Sequence, residues 1–188
     1  MEAPAAVFFW RRLDQPGHDS CRFFHSAAGC RLSGAAVFLE GRLACQIRYE
    51  VVADAAFRTR CAALAGSVGR KPLDLRVRAT RDGCWTVNGV EEPAIRGCID
   101  LDLGFTPATN LLPLRRLGLR IGQEAQAPAA YLPLPKTRLV LLPQRYQRLS
   151  RGEYDYESPR HGYRATLRVT PQGAVADYPG LFEMLPAR

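Results

Sequence analysis

Asp100 and Asp102 stand two residues apart in CIDLDLGF, a segment that alternates apolar and polar residues as a half-buried strand does. On a strand both carboxylates share one face, roughly 7 Å apart at about 3.3 Å per residue. The acid and base of glycoside hydrolysis use separations of about 5 to 9.5 Å, so an enzyme acting on a sugar conjugate is one reading. The other use of the pair is to neutralise arginines on neighbouring strands. Immediately downstream, residues 106–116 (TPATNLLPLRR) set Thr109 and Asn110 beside prolines and follow them with Arg115 and Arg116. Such a loop offers a hydroxyl, an amide and two guanidiniums to a sugar, phosphate or carboxylate. It can equally be a structural connection, with Asn110 bonded to its own backbone and the arginines solvated or paired to Asp100 and Asp102. These six residues are the candidate ligand contacts.

Other chemistries lack a pattern. His18, Cys21, His25 and Cys30 match no common zinc spacing, so no metal is expected. There is no Gly-rich phosphate loop, nucleophile elbow or HExxH, and no cysteine lies in a motif that lowers its pKa. Catalytic residues stay unassigned and no cofactor is expected. The six cysteines end at Cys98 without a Cys-x-x-Cys pair, and no secretory leader is recognisable. No run approaches the ~20 apolar residues needed to span a bilayer. A cytoplasmic protein with reduced thiols and no transmembrane segment is the resulting expectation.

The formal charge is +8, and Lys71 and Lys136 are the two lysines among 26 basic residues, leaving 26 − 2 = 24 arginines. Guanidinium forks suit anionic groups, but these are spread along the whole chain rather than gathered in a basic run. A nucleic-acid partner is therefore not expected.

What would hold these side chains in place is a set of strands. Leu43, Cys45, Ile47, Tyr49 and Val51 alternate with polar residues, as do Leu73, Leu75 and Val77, then Tyr163, Ala165, Leu167 and Val169. Further strands are expected at 7–13, 22–25, 35–39, 85–87, 130–132, 137–142, 146–150 and 153–157. Asn88-Gly, Asp82-Gly and Glu40-Gly mark turns at the short intervals of a meander. Residues 53–65 read as either a helical turn or a strand, and 111–119 as one short helical turn. With 188 residues and no linker or repeat, one domain is expected, mainly β: a curved antiparallel sheet or open barrel with little helix. Its apolar interior could be solid core or a cavity.

With Trp10, residues 97–117 (GCIDLDLGFTPATNLLPLRRL), QRYQRL at 144–149, YDYE at 154–157 and DYPGLF at 177–182, the chain resembles a bacterial family described as putative glycolipid-binding, formerly a domain of unknown function. The resemblance implies a spiral β-roll similar to bacterial lipoprotein and lipid carriers. It also implies a glycolipid or other amphiphilic small molecule as the partner, its apolar part in a cavity and its head group read by a polar mouth.

Overall fold

In the computed structural model, which describes residues 3–186, the first half of the chain is one meander. Its strands are β1 (Ala6–Arg12), β2 (Gly17–Ser26), β3 (Gly29–Glu40), β4 (Leu43–Asp54), β5 (Thr59–Val68), β6 (Lys71–Ala79), β7 (Trp85–Val87) and β8 (Val90–Glu91). The alternation sets their orientation. Cys45, Ile47, Tyr49, Val51 and Ala53 of β4 are buried, and so are Leu73, Leu75, Val77 and Ala79 of β6, whereas Arg48, Arg76 and Arg78 face solvent. The arginine-rich faces point outward, which is the arrangement that spares a guanidinium the cost of desolvation.

After β9 (Asp100–Asp102) the chain enters a 3-10 turn at Pro107–Asn110 and a short helix, α1 (Leu111–Leu117), which Gly118 ends in a left-handed conformation at φ 54°. Then follow β10 (Glu124–Gln126), β11 (Ala129–Tyr131), β12 (Val140–Leu142), β13 (Arg145–Arg148), β14 (Glu153–Ser158), β15 (Tyr163–Val169), β16 (Val175–Tyr178) and β17 (Phe182–Met184). The ambiguous stretch 53–65 resolves into the end of β4, a turn at 55–58 and most of β5, whose small residues pair on both sides: Ala62 lies opposite Val51 and also opposite Val77. Sheet pairing outweighs a weak local preference.

Fourteen strands form one sheet in the order β10-β13-β14-β15-β16-β17-β1-β2-β3-β4-β5-β6-β7-β8. The sheet curves but does not close into a barrel, since β10 and β8 remain as edges. Between β17 and β1 the end of the chain pairs with its beginning, Trp10 opposite Met184 and Arg12 opposite Phe182. A second sheet, β12-β11-β9, includes the parallel pair β9 and β11. The buried faces of both sheets, together with Leu111, Leu112 and Leu114 of α1, make one contiguous apolar core that contains Trp10 and Trp85. Both indoles donate to distant carbonyls, Trp10 Nε1 to Val175 O at 2.7 Å and Trp85 Nε1 to Cys98 O at 2.9 Å. All six cysteines are unpaired.

Candidate functional site

Beside the junction of β1 and β17 lies a cleft of about 350 Å³, where the loop after β9, the small sheet and β14–β17 meet. Its lining begins with Arg12, the last residue of β1. The guanidinium lies between the rings of Phe38 (5.1 Å) and Phe182 (5.6 Å). It donates to both oxygens of Asp14, at 3.0 and 2.7 Å, and its Nη1 is 3.5 Å from Glu40 Oε2. Burial lowers the Arg12 pKa, but Asp14 and Glu40 outweigh it and hold the group above its ordinary value. Nη1 is nevertheless buried with no hydrogen-bond partner.

The last residue of β9 is Asp102. Its Oδ1 accepts from Gly104 N–H at 2.8 Å and its Oδ2 from Gln144 Nε2 at 2.6 Å. Burial raises its pKa against both of those hydrogen bonds. Gly104 has φ +64°, and a Cβ there would sit 2.6 Å from the ring of Tyr131. The missing side chain lets the backbone turn beneath that ring.

Behind the loop, Thr106 donates to Asp19 Oδ2 and accepts from Ala108 N–H, which caps the 3-10 turn. Tyr49, lying across Gly34, donates to the same aspartate oxygen at 2.7 Å. Burial pushes the Asp19 carboxyl up to about 6, although Thr106, Tyr49 and the backbone at Ser20 pull it down; its Oδ1 has no partner.

Tyrosines make the opposite wall. Tyr156, Tyr163 and Tyr178 pack mutually at steep angles, with ring centroids 5.5 to 6.2 Å apart. Tyr131 stands edge-on to His161 at 5.3 Å. Burial raises the Tyr131 and Tyr163 phenols to about 12 and the Tyr156 and Tyr178 phenols further, so all four are neutral hydroxyls at physiological pH. Leu132, Leu134, Leu142 and Leu181 complete an apolar side.

Of the six residues singled out from sequence, Asp102 and Asn110 line this cleft. Asn110 also donates to the buried Tyr146 hydroxyl at 2.9 Å. Thr109 accepts from Leu103 N–H at 3.3 Å within the core. Asp100 and Arg116 form a two-pronged ion pair that buries the carboxylate, and burial raises the Asp100 pKa even so. Arg115 is exposed and its guanidinium lies 5.1 Å from the Phe57 ring centroid, off the cleft. Asp100 and Asp102 thus have separate partners and do not face one shared space. Sequence reasoning missed Arg12, Glu40, Tyr156, Tyr163 and Tyr178 as a group, for which the recurrence of tyrosine along 154–178 was the available signal. His18 stacks on Phe9, and His25 stacks on both Phe23 and Phe57, while Cys21 and Cys30 are buried.

The model of the family described as Putative glycolipid-binding matches residues 7–184. A crystal structure of a DUF1089 family protein from Pseudomonas aeruginosa superposes with a TM-score of 0.79 at 32% sequence identity, covering 90% of this chain and 92% of that one. No curated protein matches the chain. The segments that carried the sequence resemblance converge on the cleft. Residues 97–117 supply Asp102 and Asn110, 144–149 supply their partners Gln144 and Tyr146, 154–157 supply Tyr156, and 177–182 supply Tyr178 and Phe182.

Proposed function

Because this chain belongs to the family described as putative glycolipid-binding, formerly DUF1089, we propose that the tyrosine-lined cleft binds the hydroxyl-rich head group of an amphiphile such as a glycolipid. The observation that carries this reading is the lining: four tyrosines with neutral phenols and the half-buried Asp102 line the same space as four leucines. Phenols donate and accept while presenting an apolar ring, which suits sugars, whose hydroxyl edges alternate with C–H faces. A cleft of about 350 Å³ lies at the small end of ligand sites, which span roughly 300–1,000 Å³. It has room for a head group, with the alkyl portion against Leu132, Leu134 and Leu181.

Among the described residues no helix is long and apolar enough to cross a membrane. The test is native mass spectrometry of the purified protein with lipid analysis of whatever dissociates, followed by titration with octyl glucoside while tyrosine ring resonances are recorded. A co-purifying amphiphile, or saturable shifts at Tyr156, Tyr163 and Tyr178, is the expected result. A clean protein mass together with unmoved tyrosine signals up to the micelle threshold would refute the reading.

A further inference from the structure

In a protein of net charge +8, the cleft is locally acidic. Asp14, Glu40 and Asp102 line it against a single guanidinium, Arg12. Counting His161 as charged still leaves three carboxylates to two cations. Arg160 acts on Tyr131 from the exposed surface, where its guanidinium is tied to Leu141 O at 3.2 Å. Arg12 itself is largely spoken for, since Asp14 takes two of its nitrogens and Glu40 lies beside the third.

A second observation points the same way: Tyr156, Tyr163 and Tyr178 line the cleft, and the electron density of aromatic rings favours cations over anions. We propose that the cleft selects head groups by charge, accepting neutral and amine-bearing polyols and rejecting those that carry carboxylate, sulfate or phosphate. This inference rests on the head-group reading above and adds the ligand class to it. In that arrangement an ammonium lies near Glu40 or Asp102 against the tyrosine wall. Long-range attraction of anions by the arginine-rich exterior is opposed at the site itself, where charges are less screened.

Three octyl glycosides that differ at carbon 6 alone test it on the full chain at pH 7: the 6-amino-6-deoxyglucoside, the glucoside and the glucuronide, each titrated calorimetrically. The amine is expected to bind at least tenfold tighter than the glucuronide, with the glucoside between them. Added salt should narrow that gap, and Glu40→Gln should narrow it further. Equal or tighter binding of the glucuronide would overturn the charge inference and leave the cleft reading standing. So would a gap untouched by both salt and Glu40→Gln. Failure of all three glycosides to bind would instead remove the head-group reading itself.

Discussion

Replacing Asp19 by Asn should abolish one specific component of the pH dependence of stability. The carboxyl is buried and held at about 6 against a usual 3.8, so the native state favours its protonated form. At about 1.4 kcal/mol per tenfold change in proton affinity, that displacement amounts to about 3 kcal/mol. The cost vanishes well below pH 3.8, where both folded and unfolded chains carry the proton. It grows as pH rises toward 6 and is fully present above it. The carboxamide of the variant keeps an acceptor for Thr106 and Tyr49, and its nitrogen takes the place of the already unpartnered Oδ1. That unpaired nitrogen carries its own cost of about 1–3 kcal/mol, which does not change with pH. Urea unfolding of both proteins between pH 4 and 7, followed by the fluorescence of the fully buried Trp10 and Trp85, isolates the titrating part. From pH 4 to 7 the stability gap should move by about 2.4 kcal/mol in favour of the variant, since part of the cost is already present at pH 4. For a chain of this length that is a melting shift of about 5–10 °C. Stability curves that run parallel within about 0.5 kcal/mol would refute the assignment of a raised carboxyl at this position.

Gly104→Ala should both destabilise the fold, by more than about 1 kcal/mol, and impair octyl glucoside binding, because its Cβ enters the Tyr131 ring at a positive φ; unchanged affinity by calorimetry would separate that ring from the site. Arg116→Ala leaves Asp100 buried without its partner and should cost about 3–5 kcal/mol in urea unfolding, with partial recovery when Asp100→Asn is added. Asn110→Ala and Tyr146→Phe should each cost about 1–3 kcal/mol yet couple strongly in a double-mutant cycle, since each removes the other's partner. Purely additive losses would mean that the hydrogen bond contributes nothing.

The strands are legible in the sequence wherever one face is buried and the other charged. Leu73, Leu75 and Val77 against Asp74, Arg76 and Arg78 leave little choice of register, because a slip by one residue would bury three charges. Residues 59–68 are not legible, since Ala62, Ala63, Ala65 and Gly66 carry almost no contrast between faces. β16, which contributes Tyr178 to the cleft wall, is hidden because its buried residues, Val175 and Tyr178, are three apart and do not alternate at period two. The candidate contacts are visible where they are local in sequence. Asp100 and Arg116 stand out as charged neighbours of one loop, but the geometry joins them to each other. Arg12, Glu40, Tyr156 and Tyr178 come from four distant strands, and only the pairing of β17 with β1 brings the ends of the chain together there. No spacing rule reaches that far.

That junction also explains why the cleft has two chemical poles. The first meander contributes the charged end, Arg12, Asp14 and Glu40, at the end of β1, in the turn after it and at the end of β3. The last strands contribute the neutral phenols of Tyr156, Tyr163 and Tyr178, and the small sheet sets Asp102 and Tyr131 between the two. Tyr131 senses both ends, its phenol being raised first by burial and then by the charges of Asp102 and Glu40. Because neither half carries the whole lining, a change that loosens the β1–β17 seam should separate the poles without altering a cleft residue. Trp10 holds that seam through its bond to Val175 across the core, so its place is one of support, one layer behind the side chains that line the cleft.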